Sequence, residues 1–212
     1  MTDDTGGAVE STAPTSDYPA TLWAEKPEAP SRLLAVLLIL LIKLFLAIPH
    51  FVALFFYQIA AGIMAWIGYW IVLFTGHLPA GFHDFILGSL RWNWRLTAWI
   101  VGIADDYPPF SVDGDYPVDA GCELPEEGNR LLAVGRIFGI VGILLIPHAL
   151  ALFVMNILAF LVLLITPWAV IFTGGYPDFS FEILTGVTRW QHRVNCFAFG
   201  LVEQYPPFRM GH

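Results

Sequence analysis

The feature that most constrains this chain is an internal repeat with a fixed period. The pentapeptide RLLAV begins at Arg32 and again at Arg130, a separation of 130 − 32 = 98 residues. The motifs IPH, FTG, RW and YPPF recur at the same separation, and the register holds without a gap from Asp17 to Phe208. Shared hydrophobicity aligns leucines by chance, but it does not align arginine, proline, histidine and tryptophan together. The chain is therefore a tandem duplication of one module.

Composition limits the solvent in which these modules fold. Hydrophobic residues make up 57% of the chain and charged residues only 13%, with a mean hydropathy of +0.65. So small a polar fraction does not cover a water-soluble globule, which indicates a bilayer as the solvent for much of the chain. The net charge of −8 comes mainly from acids in residues 1–30 and 113–127. This acidity disfavours nucleic acid as a partner.

Polarity divides the chain into a tail and two modules. Residues 1–16 are rich in Thr, Ser, Gly, Ala and acids, which predicts a disordered acidic tail and no cleavable signal peptide. Module 1 then covers residues 17–111 and module 2 covers residues 112–212. Each module opens with a lead-in, 18–28 or 116–126, whose Tyr, Thr, Leu, Trp and Pro content predicts a strand or extended segment.

A long apolar run follows each lead-in, from Leu33 to Phe74 and from Leu131 to Phe172. Since about 20 residues cross a bilayer core, each run is too long for one crossing. A proline divides each run, which predicts a transmembrane helical hairpin in each module. The first limb has only about 16 residues, so it either crosses the bilayer or is re-entrant.

The predicted fold class is an all-α membrane protein of two tandem repeats. Each repeat is a transmembrane helical hairpin plus an amphipathic interfacial helix, with short extended or β segments at the cytoplasmic face. The charged residues outside the apolar runs then share one side of the membrane, and the positive-inside rule places both termini in the cytoplasm of a multi-pass cell-membrane protein. An even number of crossings gives the modules the same orientation, related by a pseudo-twofold axis along the membrane normal.

The helix-length segment after each hairpin, 82–103 or 180–201, carries a stripe that contains two arginines. At 100° per residue an acid, a glycine, both arginines, a small residue and a second glycine align. One interpretation is that the arginines hold a lipid phosphate or another anion. The other is that the glycines permit close packing while the arginines pair with the acid of the helix or bond carbonyls. The four arginines are Arg91, Arg95, Arg189 and Arg193.

One histidine follows each dividing proline, His50 after Pro49 and His148 after Pro147. The hairpin prediction places both on the far side of the membrane from the termini. Such a histidine could bind metal or haem, or relay protons. No Cys, Asp or Glu stands nearby in the sequence to complete a coordination shell, which favours a structural or polar pair that bonds the helix break. We therefore expect neither a metal nor another cofactor.

Small residues predict how the modules join. Three glycines share one face of the first limb in module 2, and three small residues share one face of the second limb in module 1. We expect these two faces to meet by close van der Waals packing. The residues are Gly135, Gly139 and Gly142, and Ala61, Ala65 and Gly68.

Together the motifs resemble a known family. RLL followed by IPH, then FTG with a proline shortly after, RW with an arginine three residues beyond the tryptophan, and a closing YPPF are similar to the bacterial and archaeal membrane family catalogued as domain of unknown function 4389. Two copies cover almost everything after residue 16. The resemblance implies no established reaction. The acid expected before YPPF is Asp106 in module 1, whereas module 2 has Gln204, so that acid has no common role in both modules.

The expected function is non-catalytic: an integral membrane accessory or scaffold protein that associates with lipids or with another membrane protein or complex. The repeated tetrapeptides and arginine stripes occupy interfacial positions, which favours docking. The alternative is a small transporter or channel, which requires a continuous polar line through Gln58, Asn156, Lys43 and the histidines. An enzyme is disfavoured, because GxSxG, HExxH, P-loop and dinucleotide motifs and intramembrane acids are missing. The docking residues are Tyr107, Pro108, Pro109, Phe110, Tyr205, Pro206, Pro207 and Phe208.

Overall fold

Each repeat contributes one strand and four helices in the same order. The structure is a computed structural model that describes residues 17–211, so the predicted disordered tail lies outside the described residues. Elements of the second repeat follow those of the first by about the period of the sequence repeat. The elements are β1 (Ala20–Ala24), α1 (Arg32–Ile39), α2 (Ile42–Leu46), α3 (Ile48–Thr75), α4 (Ala80–Val101), β2 (Val118–Cys122), α5 (Arg130–Ile137), α6 (Ile140–Leu144), α7 (Ile146–Thr173) and α8 (Asp178–Ala198).

The two lead-ins form the two strands, as their composition predicts. β1 and β2 pair antiparallel, with Ala20 opposite Cys122 and Ala24 opposite Val118. Because β2 is the repeat equivalent of β1, the centre of this pairing, where Leu22 faces Ala120, marks a pseudo-twofold axis perpendicular to the strands. The modules are thus joined through their most polar segments as well as through their apolar ones.

The first limb of each predicted hairpin is not one helix, which corrects the expectation of a continuous crossing segment. α1 has 8 residues and α2 has 5, which correspond to about 12 Å and 8 Å of helix. Leu41 separates them with a left-handed backbone at φ 60°, and Gly139 takes the same place in the second repeat at φ 74°. A left-handed residue ends one helix and redirects the chain, so neither piece is long enough to cross a bilayer core of about 30 Å.

The second limbs form the two long helices, α3 and α7, of 28 residues each. Each begins with the dividing proline in its first turn, where the missing N–H costs no helical hydrogen bond. Each ends at a left-handed glycine, Gly76 or Gly174. Both helices are long and apolar enough to cross a membrane, and only 22% and 17% of their most apolar stretches are buried. Most of the surface of these stretches is therefore exposed and not packed inside the described fold.

The repeats exchange their first limbs. α5 of module 2 packs against α3 of module 1, and α1 packs in the same way against α7. Ala133 and Val141 belong to the same buried cluster as Ala61 and Ala65, so the two limbs do contact, but not through the predicted glycine face. A Cβ at Gly135 would meet Val141 and Ile140 of its own limb first. The glycines at 139 and 142 take no part in the contact, because a Cβ added at either would meet nothing within 4 Å.

The long helices α3 and α7 run antiparallel. The end of α4 lies beside the start of α3, since Trp99 and Ala47 share one cluster, and it also lies beside the end of α7, since the Tyr176 hydroxyl donates to the Val101 carbonyl at 2.9 Å. The symmetric bond runs from the Tyr69 hydroxyl to the Ala198 carbonyl at 2.9 Å. The start of each long helix therefore lies at the same end of the molecule as the end of the other.

α4 and α8 form a middle layer between the sheet and the long helices. On one side of α4 the Arg91 guanidinium donates to the Ala120 carbonyl of β2, and on the other side Trp92 bonds His50 of α3. Twelve of the 22 residues of α4 and ten of the 21 residues of α8 are consequently buried. The sheet and the closing loops cover the polar stripes of these two helices, and their predicted position at the membrane interface remains a prediction.

Candidate functional site

Three separated sequence motifs meet around His50. The indole Nε1–H of Trp92 donates to His50 Nδ1 at 3.1 Å, and Phe110 stacks on the imidazole with ring centroids 3.9 Å apart and planes 11° apart. Tyr107 lies 4.9 Å away at 55°, and its hydroxyl donates to the Leu46 carbonyl at 3.0 Å just before α3. His50 is fully buried. We call this set, His50 with Trp92, Tyr107 and Phe110, the first histidine cage.

The second repeat builds an equivalent cage with nearly the same dimensions. Trp190 Nε1–H donates to His148 Nδ1 at 3.0 Å, and Phe208 stacks at 3.7 Å and 12°. Tyr205 lies 5.1 Å away and donates its hydroxyl to the Leu144 carbonyl at 3.0 Å. We call this set, His148 with Trp190, Tyr205 and Phe208, the second histidine cage. Two independent copies of the sequence thus close the same constellation.

The placement of the histidines corrects the sequence prediction. Each histidine contacts the closing tetrapeptide of its own module, so it does not lie on the opposite side of a membrane from that tetrapeptide. The two histidines are not brought together either, because each begins a long helix and the long helices are antiparallel. The prediction failed because the first limb is broken at Leu41 or Gly139 and does not carry the histidine across to the opposite side.

The cages have the character of structural sites. The Trp donor occupies Nδ1, an aromatic ring covers one imidazole face, and burial removes the group from solvent. Within residues 17–211, no group of three or more His, Cys, Asp or Glu side chains could hold a metal ion. Sequence reasoning missed the tryptophans as the partners, although their repetition in the RW motif was a usable signal.

The YPPF tetrapeptides line the outer edge of each cage. Their tyrosine and phenylalanine rings pack against histidine on one side, yet Tyr107 is 45% and Phe110 is 57% exposed. Tyr205 and Phe208 are similarly exposed at 42% and 55%. The tetrapeptide is therefore an internal clasp whose outer face stays open to contact. Docking through that face remains a prediction.

The arginine stripes bind backbone carbonyls. Arg95 donates from Nη1 to the carbonyls of Ser111 and Asp113 and from Nη2 to that of Gly114 at 2.9 Å. Arg193 makes the equivalent contacts to the carbonyls of Arg209 and Gly211. Each guanidinium is almost entirely buried and fastens the loop that follows the YPPF clasp.

The outer arginines fasten the strands. Arg91 pairs with Asp119 at 2.7 Å and also donates to the Ala120 carbonyl, whereas Arg189 donates to the Leu22 and Met210 carbonyls. The interpretation that the arginines bond carbonyls therefore describes their geometry, although the acid of the same helix is not their partner. Anion binding at these arginines remains a prediction.

Burial lowers the pKa of Arg193 to about 10, with further lowering from its neighbours Arg209 and Arg189. The guanidinium therefore remains protonated at neutral pH. Its carbonyl partners compensate part of the cost of burying the charge. A charge held in this way stabilises the loop.

A thiol and imidazole cluster was not apparent from the sequence. Cys122 at the end of β2 donates its thiol to the Leu201 carbonyl just beyond α8 at 3.6 Å, and Cys196 Sγ of α8 lies 3.5 Å from His192 Nε2. The neighbouring Cys196 thiol, aided by His83, lowers the pKa of Cys122 to about 7, while burial raises the pKa of Cys196. The repeat gave no signal, because alanines occupy the equivalent positions 24 and 98.

The outer surface of the long helices is continuously apolar. From Leu33 to Phe74, every exposed residue is apolar, and from Leu131 to Phe172 Asn156 is the single polar exception. The two charged side chains within these ranges that the structure describes, Lys43 and Arg136, are both buried. Lys43 lies 4.8 Å from the Trp99 ring, and Arg136 pairs with Glu203 at 3.2 Å. The exposed apolar face of these two ranges is hereafter called the apolar face.

These observations define a class: a duplicated, mainly helical protein with two long apolar helices and an aromatic histidine cage in each repeat. The family model described as Domain of unknown function (DUF4389) matches residues 38–111 and 138–209, once in each repeat, and the chain belongs to this family. The resemblance read from the motifs is thereby confirmed as a tandem duplication. No match was found among curated proteins or among solved structures.

Proposed function

We propose that this chain is a non-catalytic integral membrane protein that serves as an accessory or scaffold unit, with its apolar face in lipid and its clasps and arginine-held loops available to a larger membrane complex. The observation that carries the proposal is the apolar face itself. A contiguous apolar surface of this extent is rare on a soluble monomer and marks contact with a membrane or a partner. The charged residues inside the same ranges are buried, which suits lipid contact.

We further propose that α3 and α7 lie in the plane of the membrane instead of crossing it. Because the repeats are antiparallel, a crossing arrangement would put the pseudo-twofold axis in the membrane plane and the strand pair at mid-bilayer. A two-stranded sheet has an unpaired edge on each strand, and open sheet edges do not occur in hydrocarbon. The in-plane arrangement puts the sheet on the water side instead.

Acidic residues support the same choice. Asp113 and Asp115 are exposed on the loop that Arg95 fastens beside the middle of α4. In a crossing arrangement they would lie within the bilayer, where an acidic side chain costs about 2.5–3.5 kcal/mol at the centre of a helix. With α3 and α7 in the plane, both acids face water, and the pseudo-twofold axis runs along the membrane normal.

The in-plane arrangement places both ends of the described chain on the sheet side. Tyr18, next to β1, donates to the Gln204 carbonyl, and Arg193 holds the Gly211 carbonyl. By the positive-inside rule this side is the cytoplasm. In this arrangement no helix crosses the bilayer, in contrast to the hairpins predicted from the sequence. Both termini still lie on the same side of the membrane, as predicted.

A transporter or channel is less well supported. That function would need a polar line joining Gln58, Asn156, Lys43 and the histidines. The histidines are enclosed by aromatic rings, and Lys43 lies in a separate cleft beside Asp105. The proposal therefore expects reconstituted protein to leave the solute permeability of liposomes unchanged.

The experiment is accessibility labelling at two equivalent positions. In a background with Cys122→Ala and Cys196→Ala, Tyr107→Cys and Tyr205→Cys are made singly and exposed to a membrane-impermeant maleimide in sealed, oriented vesicles. The in-plane arrangement expects both sites to react from one side. Reaction from opposite sides would mean that the long helices cross, and the proposed arrangement would be wrong.

The accessory role is tested by purification in native lipid. The proposal expects a membrane protein to co-elute at fixed stoichiometry and to be lost on Phe110→Ala and Phe208→Ala, while Phe74→Ala on the apolar face retains it. Phe74 is a suitable control because it is 74% exposed and lies outside both clasps. If all three variants retained the partner, the clasps would not be the docking surface and this part of the proposal would be wrong.

A further inference from the structure

A polar cavity lies on the pseudo-twofold axis, between α4 and α8. Its volume is about 290 Å³. The repeats supply equivalent polar residues, since Asn93 corresponds to Gln191 and Thr97 to Asn195 at the sequence period. Leu22 of β1 borders it on the sheet side, and Asn156 of α7 borders it on the side of the long helices. No feature of the cages or the arginine stripes requires this cavity.

The side chains around the cavity have hydrogen-bonding capacity to spare. The amides of Asn93, Gln191 and Asn195 make no side-chain hydrogen bond within the described residues. The Thr97 and Thr188 hydroxyls donate to carbonyls of their own helices at 2.9 Å and 2.8 Å, which leaves their lone pairs free to accept. An amide offers both donors and acceptors, so the cavity suits a ligand that has both.

The cavity carries no formal charge. None of its lining residues is Asp, Glu, Lys or Arg, and its only imidazole, His192, bonds the Gly121 carbonyl at 3.0 Å. Burial lowers the pKa of His192 to about 4, so the ring is neutral at physiological pH. The stripe arginines lie on other faces of α4 and α8, where carbonyls occupy them. A phosphate in the cavity would therefore lack the cationic donors on which phosphate binding depends.

An apolar depression adjoins the cavity at Asn93. It has a volume of about 420 Å³, and it is lined by Phe51, Leu54, Phe55 and Ile59 of α3, together with Gln58. Phe51, Phe55 and Ile59 also belong to the apolar face. A ligand that extends from the cavity into this depression meets hydrogen-bonding groups first and a hydrocarbon-like surface next.

We propose that this cavity binds the uncharged, hydroxyl-rich headgroup of a membrane lipid, as in a monohexosyl diacylglycerol, with an acyl chain along the adjoining depression. Hydroxyls both donate and accept, as the amides require, and a neutral headgroup needs no counter-charge. The inference rests on the proposed placement of the apolar face in lipid. A site of this kind requires both repeats, because each repeat supplies part of the lining of the cavity.

The test uses the full chain in a detergent without a sugar headgroup. Binding of monohexosyl diacylglycerol and of phosphatidylglycerol with the same acyl chains is measured by native mass spectrometry across a titration. We expect the neutral lipid to bind at least tenfold more tightly than the anionic one. Equal binding, or preference for phosphatidylglycerol, would overturn the inference.

Variants separate the cavity from general lipid association. The double change Asn93→Leu with Gln191→Leu keeps side-chain size but removes two hydrogen-bonding groups, and we expect roughly tenfold or greater weakening. Gln204→Leu, at an exposed position outside the cavity, is the control and should bind normally. Asn93→Gln keeps an amide at this position and should keep binding. The double variant should unfold at a temperature close to that of the unchanged chain, which separates loss of binding from misfolding. Unchanged binding by the double variant would overturn the assignment.

The outcome is distinguishable from failure of the proposed function. Labelling at Tyr107 and Tyr205 reports the membrane arrangement and does not depend on the cavity. Labelling from one side with no selective lipid binding would reject the site and leave the in-plane arrangement standing. Labelling from opposite sides would reject the arrangement whatever the titration showed.

Discussion

Removal of the tryptophan donor in the first histidine cage is expected to destabilise the whole chain. Trp92→Phe keeps an aromatic ring in the slot but deletes the Nε1–H that donates to His50 Nδ1 at 3.1 Å. His50 is fully buried, so no water replaces the lost donor. The variant therefore leaves a buried acceptor without its partner.

The expected magnitude follows from that unpaired acceptor. A buried group left without its hydrogen bond costs about 1–3 kcal/mol, and the smaller phenyl ring adds a packing loss. For a chain of this size, each kcal/mol lowers the melting temperature by about 2–4 °C, so a fall of several degrees is expected. Trp190→Phe should cost a similar amount, because the second cage has the same bond at 3.0 Å.

The assay is a double-mutant cycle on thermal unfolding, followed by circular dichroism in one detergent. His50→Phe removes the acceptor but keeps a ring against Phe110, and the double variant removes both partners. The double variant should be less destabilised than the sum of the single changes by about 1 kcal/mol or more. Trp66→Phe on the apolar face is the control, since Trp66 is 53% exposed.

Two results would refute this reasoning. Additive losses in the cycle would mean that the indole and the imidazole contribute independently and that the hydrogen bond contributes little. A loss for Trp92→Phe no larger than for Trp66→Phe would mean that the cage is not a structural site. In either case the repetition of the RW and IPH motifs would need another explanation.

Three further outcomes are expected. Leu41→Gly should stabilise the chain by about 0.5–1 kcal/mol, because a left-handed leucine costs about 1–2 kcal/mol and glycine adds back part of that as chain entropy; a lower melting temperature would contradict the strain. Alkylation of Cys122 by iodoacetamide should show a midpoint near pH 7, since the thiolate reacts, and Cys196→Ala should move it to higher pH by removing the donor; an unmoved midpoint would exclude that cause. Lys26→Ala breaks the exposed ion pair with Asp178 and should change the stability by less than about 1 kcal/mol; a larger loss would indicate a role beyond charge pairing.

Local chemistry made the strands and long helices predictable from the sequence. Pro49 lies in the first turn of α3 and Gly76 ends it, which are the positions that proline and glycine favour at helix termini. The lead-in residues around Trp23 form a strand, as their composition predicts. The broken first limb was harder to see, because Leu41 is a residue that rarely adopts a left-handed backbone. Gly139 at the equivalent position was the one signal of a break.

The candidate sites depend on tertiary contacts that a motif search does not contain. His50, Trp92 and Phe110 are far apart in the chain, and only the packing of α4 against α3 brings them together. Repetition showed that these residues matter but not that they meet. The central cavity was still less visible, since its polar residues come from both repeats and its shape depends on how the repeats are oriented.

The twofold axis that relates the repeats was within reach of the sequence, although the predicted topology gave the two modules the same orientation. Each module contains one short strand, and two copies of one strand pair most readily with each other. Antiparallel neighbours exchange hydrogen bonds symmetrically, so a twofold axis perpendicular to the strands generates such a pair from two equivalent segments. The same axis reverses the long helices as well, because they lie across it: the end of α4 contacts both the start of α3 and the segment after α7. The duplication and the strand together imply a twofold axis perpendicular to the strands, and the packing of α4 and α8 against the long helices then sets how those helices lie relative to the axis. An even count of crossings carries no weight once the first limb is too short to cross.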